Sequence, residues 1–384
     1  MQSVYLDNNA TTPVAPEALE AVRECLETTF GNPSSLHRAG LAAERVLESA
    51  REQIAQRMGV PKAELYFCSG ATEANNTIMY GVAHAYRGRG SHIVTTAVEH
   101  PSVLEPLRQL EQEGFTISYL VPHPRYGVTA GQVCDAMRAD TILVSVMQVN
   151  NETGAVFPVA ELARAVKARR RDTIVHSDGV QGFGKLVSPA ADLDAYSVSA
   201  HKLHGPKGAG ALYVRAGVRC RPLLRGGGHE SGLRAGTENI PGIAGFAAAV
   251  SAAGADRERD YARVEALRGE LLQVMDSIPE AVVLSPPGAV AGTLAVSFPP
   301  IPGEVMVNAL SEFGVSVSTG SACAASRNKR SHVLEALGFE RRLIDASVRF
   351  SLSRMTTAEE ISRVAEVLRQ AVKRLRPVAE RVLR

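Results

Sequence analysis

The 384-residue sequence predicts an α/β fold, with a large domain on a mostly parallel seven-stranded sheet and a smaller α+β domain after it. Three observations lead there. Up to about residue 215, short apolar runs alternate with longer amphipathic stretches, the rhythm of strand–helix units that cover both faces of a parallel sheet. After Gly226-Gly227-Gly228 that rhythm changes. The chain also exceeds the usual size of one domain. The division expected is 15–255 for the large domain, with 1–14 and 256–384 in the small one.

The strand-like runs are 64–68, 92–97, 116–121, 141–146, 173–177, 195–198 and 211–214. Helical spacing covers 17–28, 39–58, 73–86 and 159–170. Beyond the glycines, a single long helix is expected over 242–278, dense in charge at 257–263. A strand at 292–298, a helix near 304–313, a strand at 347–352 and a terminal helix from Ala358 complete the small domain.

With 42 basic and 40 acidic residues, the net charge of +2 argues against general attraction to nucleic acid or membrane surfaces. The basic run Lys373, Arg374, Arg376, Arg381 and Arg384 reads as the solvated face of a helix. The N-terminus does not resemble a signal peptide, and no apolar run approaches a membrane span, so a cytoplasmic location is expected. Five scattered cysteines without a CxxC pair speak against both a disulfide framework and a zinc site.

The chemistry sits at strand ends. Lys202, in Ser197-Val-Ser-Ala-His-Lys202, follows an apolar strand and precedes a glycine-rich turn. A lone lysine is ordinarily a surface charge, but one in a partly desolvated pocket can form a Schiff base. Ser199 and His201 beside it suit a phosphate. Asp178 ends another strand, where it either caps a helix or pairs with the protonated ring nitrogen that pyridoxal phosphate needs. Ser69-Gly-Ala71-Thr72-Glu opens a helix whose backbone N–H groups form an anion site, or which Ser69 or Thr72 merely caps. His100 stands at a further strand-to-helix junction, as a cap or as an imidazole that stacks on a planar cofactor and acts as a catalytic acid or base.

Cys323 differs from Cys25, Cys68, Cys134 and Cys220, which occupy apolar or helical contexts where inert burial is the default. It lies in a small-residue stretch beside Arg327, Lys329 and Arg330, charges that favour a thiolate. Arg349, within the strand-like Ser347-Val-Arg-Phe-Ser-Leu352, is either a clamp for a substrate carboxylate or part of a structural salt bridge.

From Tyr5-Leu-Asp-Asn-Asn-Ala-Thr-Thr-Pro13 to the terminal helix, the chain resembles the NifS/IscS-type cysteine desulfurases of the class-V aminotransferase family, fold-type I pyridoxal-phosphate enzymes. The motifs that carry the resemblance include Ser69-Gly-Ala-Thr-Glu73, Val149-Asn-Asn-Glu152, Ser199-Ala-His-Lys202, Gly226-Gly-Gly-His229, Arg234-Ala-Gly-Thr237 and Gly320-Ser-Ala-Cys323. The resemblance implies pyridoxal 5'-phosphate bound covalently to Lys202, its ring nitrogen paired with Asp178 and its ring stacked on His100. It places Asn151 and Gln181 near the phenolate oxygen, with Ala71, Thr72, Ser199 and His201 at the phosphate. Thr237 reaches that phosphate from the other subunit of a homodimer. Arg349, with Asn151, binds the carboxylate of L-cysteine. The reaction implied leaves L-alanine, with the sulfur on Cys323 as a persulfide for a sulfur-acceptor or scaffold protein. No metal is implied for catalysis, although Cys323 could ligate an iron–sulfur cluster transiently. Selenocysteine lysis or another pyridoxal-phosphate reaction, such as aminotransfer, is the alternative. Two features depart from the family pattern: the basic stretch Ser326-Arg-Asn-Lys-Arg330, and an end at Arg384 without a further scaffold-docking extension.

Overall fold

The computed structural model describes residues 3–320 and 330–382. The strands, in chain order, are β1 (Val4–Tyr5), β2 (Leu65–Cys68), β3 (His92–Thr96), β4 (Thr116–Leu120), β5 (Thr141–Ser145) and β6 (Ile174–Asp178). Then come β7 (Ala195–Ser199), β8 (Gly210–Val214), β9 (Val282–Val283), β10 (Thr293–Ser297), β11 (Val315–Ser316) and β12 (Ser347–Ser351). Helices α1 (Pro16–Thr28), α2 (Arg38–Met58), α3 (Ala71–Tyr86), α4 (Pro101–Gln112), α5 (Ala130–Ala136) and α6 (Val159–Arg169) accompany the first strands. The remainder are α7 (Ile240–Gly254), α8 (Arg257–Asp276), α9 (Gly303–Glu312), α10 (His332–Ala336), α11 (Arg341–Asp345) and α12 (Ala358–Val382).

Seven strands form one sheet in the order β2-β8-β7-β6-β5-β3-β4. Only β8 runs against its neighbours, pairing antiparallel with both β2 and β7. Every residue of β5, β6 and β7 is buried, as expected of a sheet with helices on both faces. Not all are apolar. His176 is satisfied sideways, by Ser145 Oγ on β5 at 2.9 Å and Ser197 Oγ on β7 at 3.0 Å. Burial pushes its pKa down to about 3, so this imidazole is neutral.

One apolar layer packs α1, α2 and α7 on the sheet through Ile54, Phe183, Phe246 and their neighbours. On the other face, α3 and α4 contribute Ile78, Met79, Val82 and Leu107. A separate core joins Leu6, Leu271, Leu294, Met306, Phe350 and Leu368 around the antiparallel sheet β12-β10-β9. In α12, Ile361, Val364, Ala365 and Leu368 recur at helical spacing and are buried toward this core, while Arg374 and Arg376 stay on the surface, paired with Glu312 and Glu380 at 2.9 Å.

The seven large-sheet strands match the sequence pattern to within a residue at almost every end. The long helix expected over 242–278 is instead two helices, broken at Ala255-Asp256. The reason is that the stretch serves two cores. Helix α7 is buried through Ile243, Phe246, Ala249 and Val250 in the large-sheet core, whereas α8 carries one stripe, Val264, Leu267 and Leu271, into the small one. One straight axis does not face both.

Residues 6–12 strap the two cores together. The Ser351 amide donates to the Leu6 carbonyl at 2.7 Å, and the Thr12 amide donates to the His201 carbonyl at 3.0 Å. Among the described residues, no helix is long and apolar enough to cross a membrane, and no group of three or more His, Cys, Asp or Glu is placed to hold a metal ion.

Candidate active site

Strands β3 and β5 are neighbours, but the chain leaves them in opposite directions, from β3 to the sheet edge at β4 and from β5 toward β6. Such a reversal opens a crevice at the carboxyl ends of the strands. Here it is a cleft of about 960 Å³, and its walls bring together Thr72, His100, Asn151, Asp178, Lys202 and Arg349, residues far apart in the sequence. Ala71, Gln181, Ser199 and His201 line it too.

Asp178 is the last residue of β6 and is buried. Its carboxylate accepts from the Val180 amide at 3.0 Å and from Asn75 Nδ2 at 2.7 Å, both neutral donors. His100 caps α4 and also lines the cleft. Its Nδ1 takes the Ser102 amide at 3.1 Å. Burial lowers the pKa of His100, Asp178 raises it, and Lys202 and His332 lower it further.

Lys202 ends the short turn Ala200–Lys202 after β7, and its Nζ donates to the carbonyls of Asn9 at 2.6 Å and Ala10 at 2.9 Å. Gln181 Nε2 also donates to the Asn9 carbonyl, at 3.0 Å. Behind it, Lys185 Nζ donates to Gln181 Oε1 at 3.1 Å, which fixes the amide with its nitrogen toward Asn9. Burial, with smaller contributions from Lys202 and Arg349, brings the pKa of Lys185 down to about 7.

At the N-terminus of α3, Gly70 is the cap residue and supplies no side chain to the first turn. A Cβ on Gly70 would stand 3.4 Å from Ser199 Oγ, so the glycine keeps open a cradle between the helix end and β7. His201 stands by it, its Nδ1 3.1 Å from Thr11 Oγ1, and burial pushes its pKa down to about 4.

The opposite wall belongs to β12. Arg349 is buried, donating from Nη2 to Asp7 Oδ1 at 2.8 Å and from Nη1 to the Asn151 carbonyl at 3.0 Å. The structural ion pair is therefore real, but the guanidinium also lines the cleft and its Nε has no partner among the described residues. Beside it, Glu152 accepts from Ser331 Oγ, and burial raises its pKa to about 7. Thr237 is exposed and does not line this cleft, although Arg234 three residues earlier pairs with Glu73 in the first turn of α3 at 2.9 Å.

Cys323, Arg327 and Lys329 lie outside the described residues; Gly320 and Arg330, on either side, line the cleft. Cys68 and Cys220 are poor candidates for a thiolate, since burial pushes both up to about 12. Sequence reasoning passed over Asn75 and Lys185, which lie behind the cleft and bond the side chains in front of them, and Ser102, on the cleft wall beside His100. Nothing in their local pattern distinguishes them from ordinary helix or turn residues.

Residues 4–364 match the model of the class-V aminotransferase family. The cysteine desulfurase IscS of Anaeromyxobacter dehalogenans (strain 2CP-C) is 41% identical over 385 residues, covering 98% of this chain and 94% of that protein. A solved structure described as a NifS-like protein superposes with a TM-score of 0.91 at 38% identity, over 97% of this chain and 99% of that one. Another, SspA in complex with cysteine, gives 0.82 at 33% identity, over 92% and 100%. The chain belongs to the class-V aminotransferase family, with the fold of the fold-type I pyridoxal-phosphate enzymes. Within that family it groups with the NifS/IscS-type cysteine desulfurases.

Proposed function

We propose that this protein is a pyridoxal-phosphate-dependent cysteine desulfurase that converts L-cysteine to L-alanine and carries the sulfur as a persulfide on Cys323. The observation that carries the reading is the convergence of Asp178, Lys202 and Arg349 on one cleft. The cofactor fits residues already present. The Asp178 carboxylate, buried among neutral donors, suits a protonated ring nitrogen, and the cradle that Gly70 leaves open beside Ser199 suits a phosphate. Ala71, Thr72, Ser199 and His201 would hold that phosphate, His100 would lie against the ring, and Asn151 and Gln181 would meet its phenolate oxygen. Bound there, pyridoxal phosphate draws electrons away from the substrate Cα.

Lys202 would anchor the cofactor and act as the base. The Asn9 and Ala10 carbonyls at its Nζ stabilise the ammonium formed when it takes a proton. Arg349, held rigid by Asp7 and Asn151 on the cleft wall, would orient the substrate carboxylate with its guanidinium charge. The Cys323 thiolate would then form an S–S bond to the substrate sulfur. As the Cβ–S bond breaks, its electron pair stays with carbon, which is protonated and leaves as alanine.

The same proposal includes a homodimer. Exposed Thr237, tied through Arg234 and Glu73 to the start of α3, would serve the phosphate of a second copy. The two separate cores support a division at 15–255, with 1–14 and 256–384 as the small domain. A cytoplasmic location suits a carrier thiol that must stay reduced. An acceptor or scaffold protein would take the sulfur, for iron–sulfur cluster assembly or thiolation. The test is alanine and sulfide release from L-cysteine without an oxo acid, with mass spectrometry after a brief cysteine pulse. A sulfur adduct on the Cys323 peptide is expected; an oxo-acid requirement, or an adduct chiefly on Cys68 or Cys220, would overturn it. Light scattering that finds a fully active monomer would remove the dimer.

A further inference from the structure

The hydrogen bonds behind His100 run in one direction. Asp178, as a carboxylate, only accepts, so Asn75 must face it with its NH2 group, and Nδ2 stands 2.7 Å from Asp178 Oδ2. The same nitrogen reaches Ser102 Oγ at 2.9 Å. Ser102 Oγ accepts there, which leaves its own proton free to turn to His100 Nδ1, 2.8 Å away. Nδ1 also takes the Ser102 backbone N–H at 3.1 Å as the cap of α4. With two donors aimed at it, Nδ1 has no room for a proton, and a neutral imidazole then carries its hydrogen on Nε2.

The amide orientation is not chosen for its own comfort. Asn75 is fully buried, and its Oδ1 has no partner among the described residues. Turning the amide over would set that oxygen against the Asp178 carboxylate, a worse arrangement in a buried site. Asp178 thus sets the direction of the whole chain. The other charges on the ring are Lys202 and His332, which both oppose an imidazolium.

We propose that Asn75 and Ser102 are positioning residues that lock His100 as the Nε2–H tautomer, so that the ring meets its ligands as a hydrogen-bond donor rather than as a general base. The last clause rests on the desulfurase reading; the tautomer is a property of the chain itself. Neutral histidines held as donors are a known way to polarise a substrate without a full charge.

The test is long-range 1H–15N correlation NMR on the full-length protein, with cofactor bound and after its removal, His100 being assigned by its loss in His100→Gln. The wild type is expected to show the Nε2–H pattern in both states. In Asn75→Leu the Nδ1–H form should appear and the His100 protonation midpoint rise by about one pH unit, with a smaller rise in Ser102→Ala. An Nδ1–H tautomer in the wild type overturns the proposal, as does an unchanged pattern and midpoint in both variants. If Asn75→Leu does not fold, Ser102→Ala, which removes one hydroxyl, decides alone. The reading needs no turnover: the Nε2–H pattern in a protein without desulfurase activity upholds the tautomer and counts against the function, whereas an active enzyme with the Nδ1–H form does the reverse.

Discussion

The two walls of the cleft hold their polar groups by different means. On the sheet side, Asp178 ends β6, Ser199 ends β7 and Lys202 follows one turn later, so the backbone ladder itself sets their spacing. Their partners there are mostly neutral: an amide, backbone N–H groups and carbonyls. On the small-domain side, Arg349 lies mid-strand in β12 and is fixed by side-chain contacts reaching to Asp7 and Asn151. On the proposed function, the sheet wall would serve bond chemistry and the small-domain wall the recognition of charge. Changes to the first should therefore strike turnover, and changes to the second substrate binding.

Lys202→Ala puts the most weight on this contrast. Losing the base should lower turnover by roughly 10³- to 10⁴-fold with the fold intact by circular dichroism, and borohydride should no longer attach cofactor covalently. Attachment at another lysine in the wild type would remove the sheet wall from the chemistry. Cys323→Ser should come next. It should still bind the cofactor, giving a yellow protein whose absorbance changes when cysteine is added, yet release of alanine and sulfide should fall by orders of magnitude, because a hydroxyl is a poor nucleophile toward sulfur. Cys68→Ala and Cys220→Ala should change turnover little, since both thiols are held protonated by burial.

Arg349→Lys keeps the charge but loses the forked geometry. A charge-assisted hydrogen bond contributes about 1.5–3 kcal/mol, so KM for cysteine should rise roughly 10- to 100-fold with kcat changed far less. An equal fall in kcat would erase the distinction between the walls.

The smallest effect concerns Glu99, beside His100. It is fully buried, and burial, with a smaller push from Asp178, raises its pKa to about 8. Because an unfolded glutamate titrates near about 4.3, the folded state binds the extra proton between that pH and about 8. Stability from this group is therefore present at low pH and lost as pH rises through that window. Glu99→Gln should melt a few degrees higher relative to wild type at about pH 8 than at about pH 5. A pH-independent difference in melting temperature would show that Glu99 is ionised throughout.

Much of this was legible beforehand. Alternating apolar runs marked all seven strands of the large sheet, because a strand buried on both faces must be nearly continuous in apolar residues. Strand-end residues such as Asp178, His100 and Lys202 stood out because polar groups at the close of an apolar run need a partner. Periodicity missed the break at Ala255-Asp256, since both halves have helical spacing and only the two separate cores force them apart.

By itself, then, the sequence determined the α/β class, the position of Asp178, His100 and Lys202 at strand ends and the kinship with cysteine desulfurases, all of which depend on local pattern and motif. Tertiary structure alone decided that Arg349 holds an ion pair and lines the cleft at once, that Lys185 orients Gln181 from behind, and that Asn75 joins Asp178 to Ser102. Such contacts span up to 342 residues of chain, as between Asp7 and Arg349. Which donor meets which acceptor there is set by packing, and no local pattern encodes it.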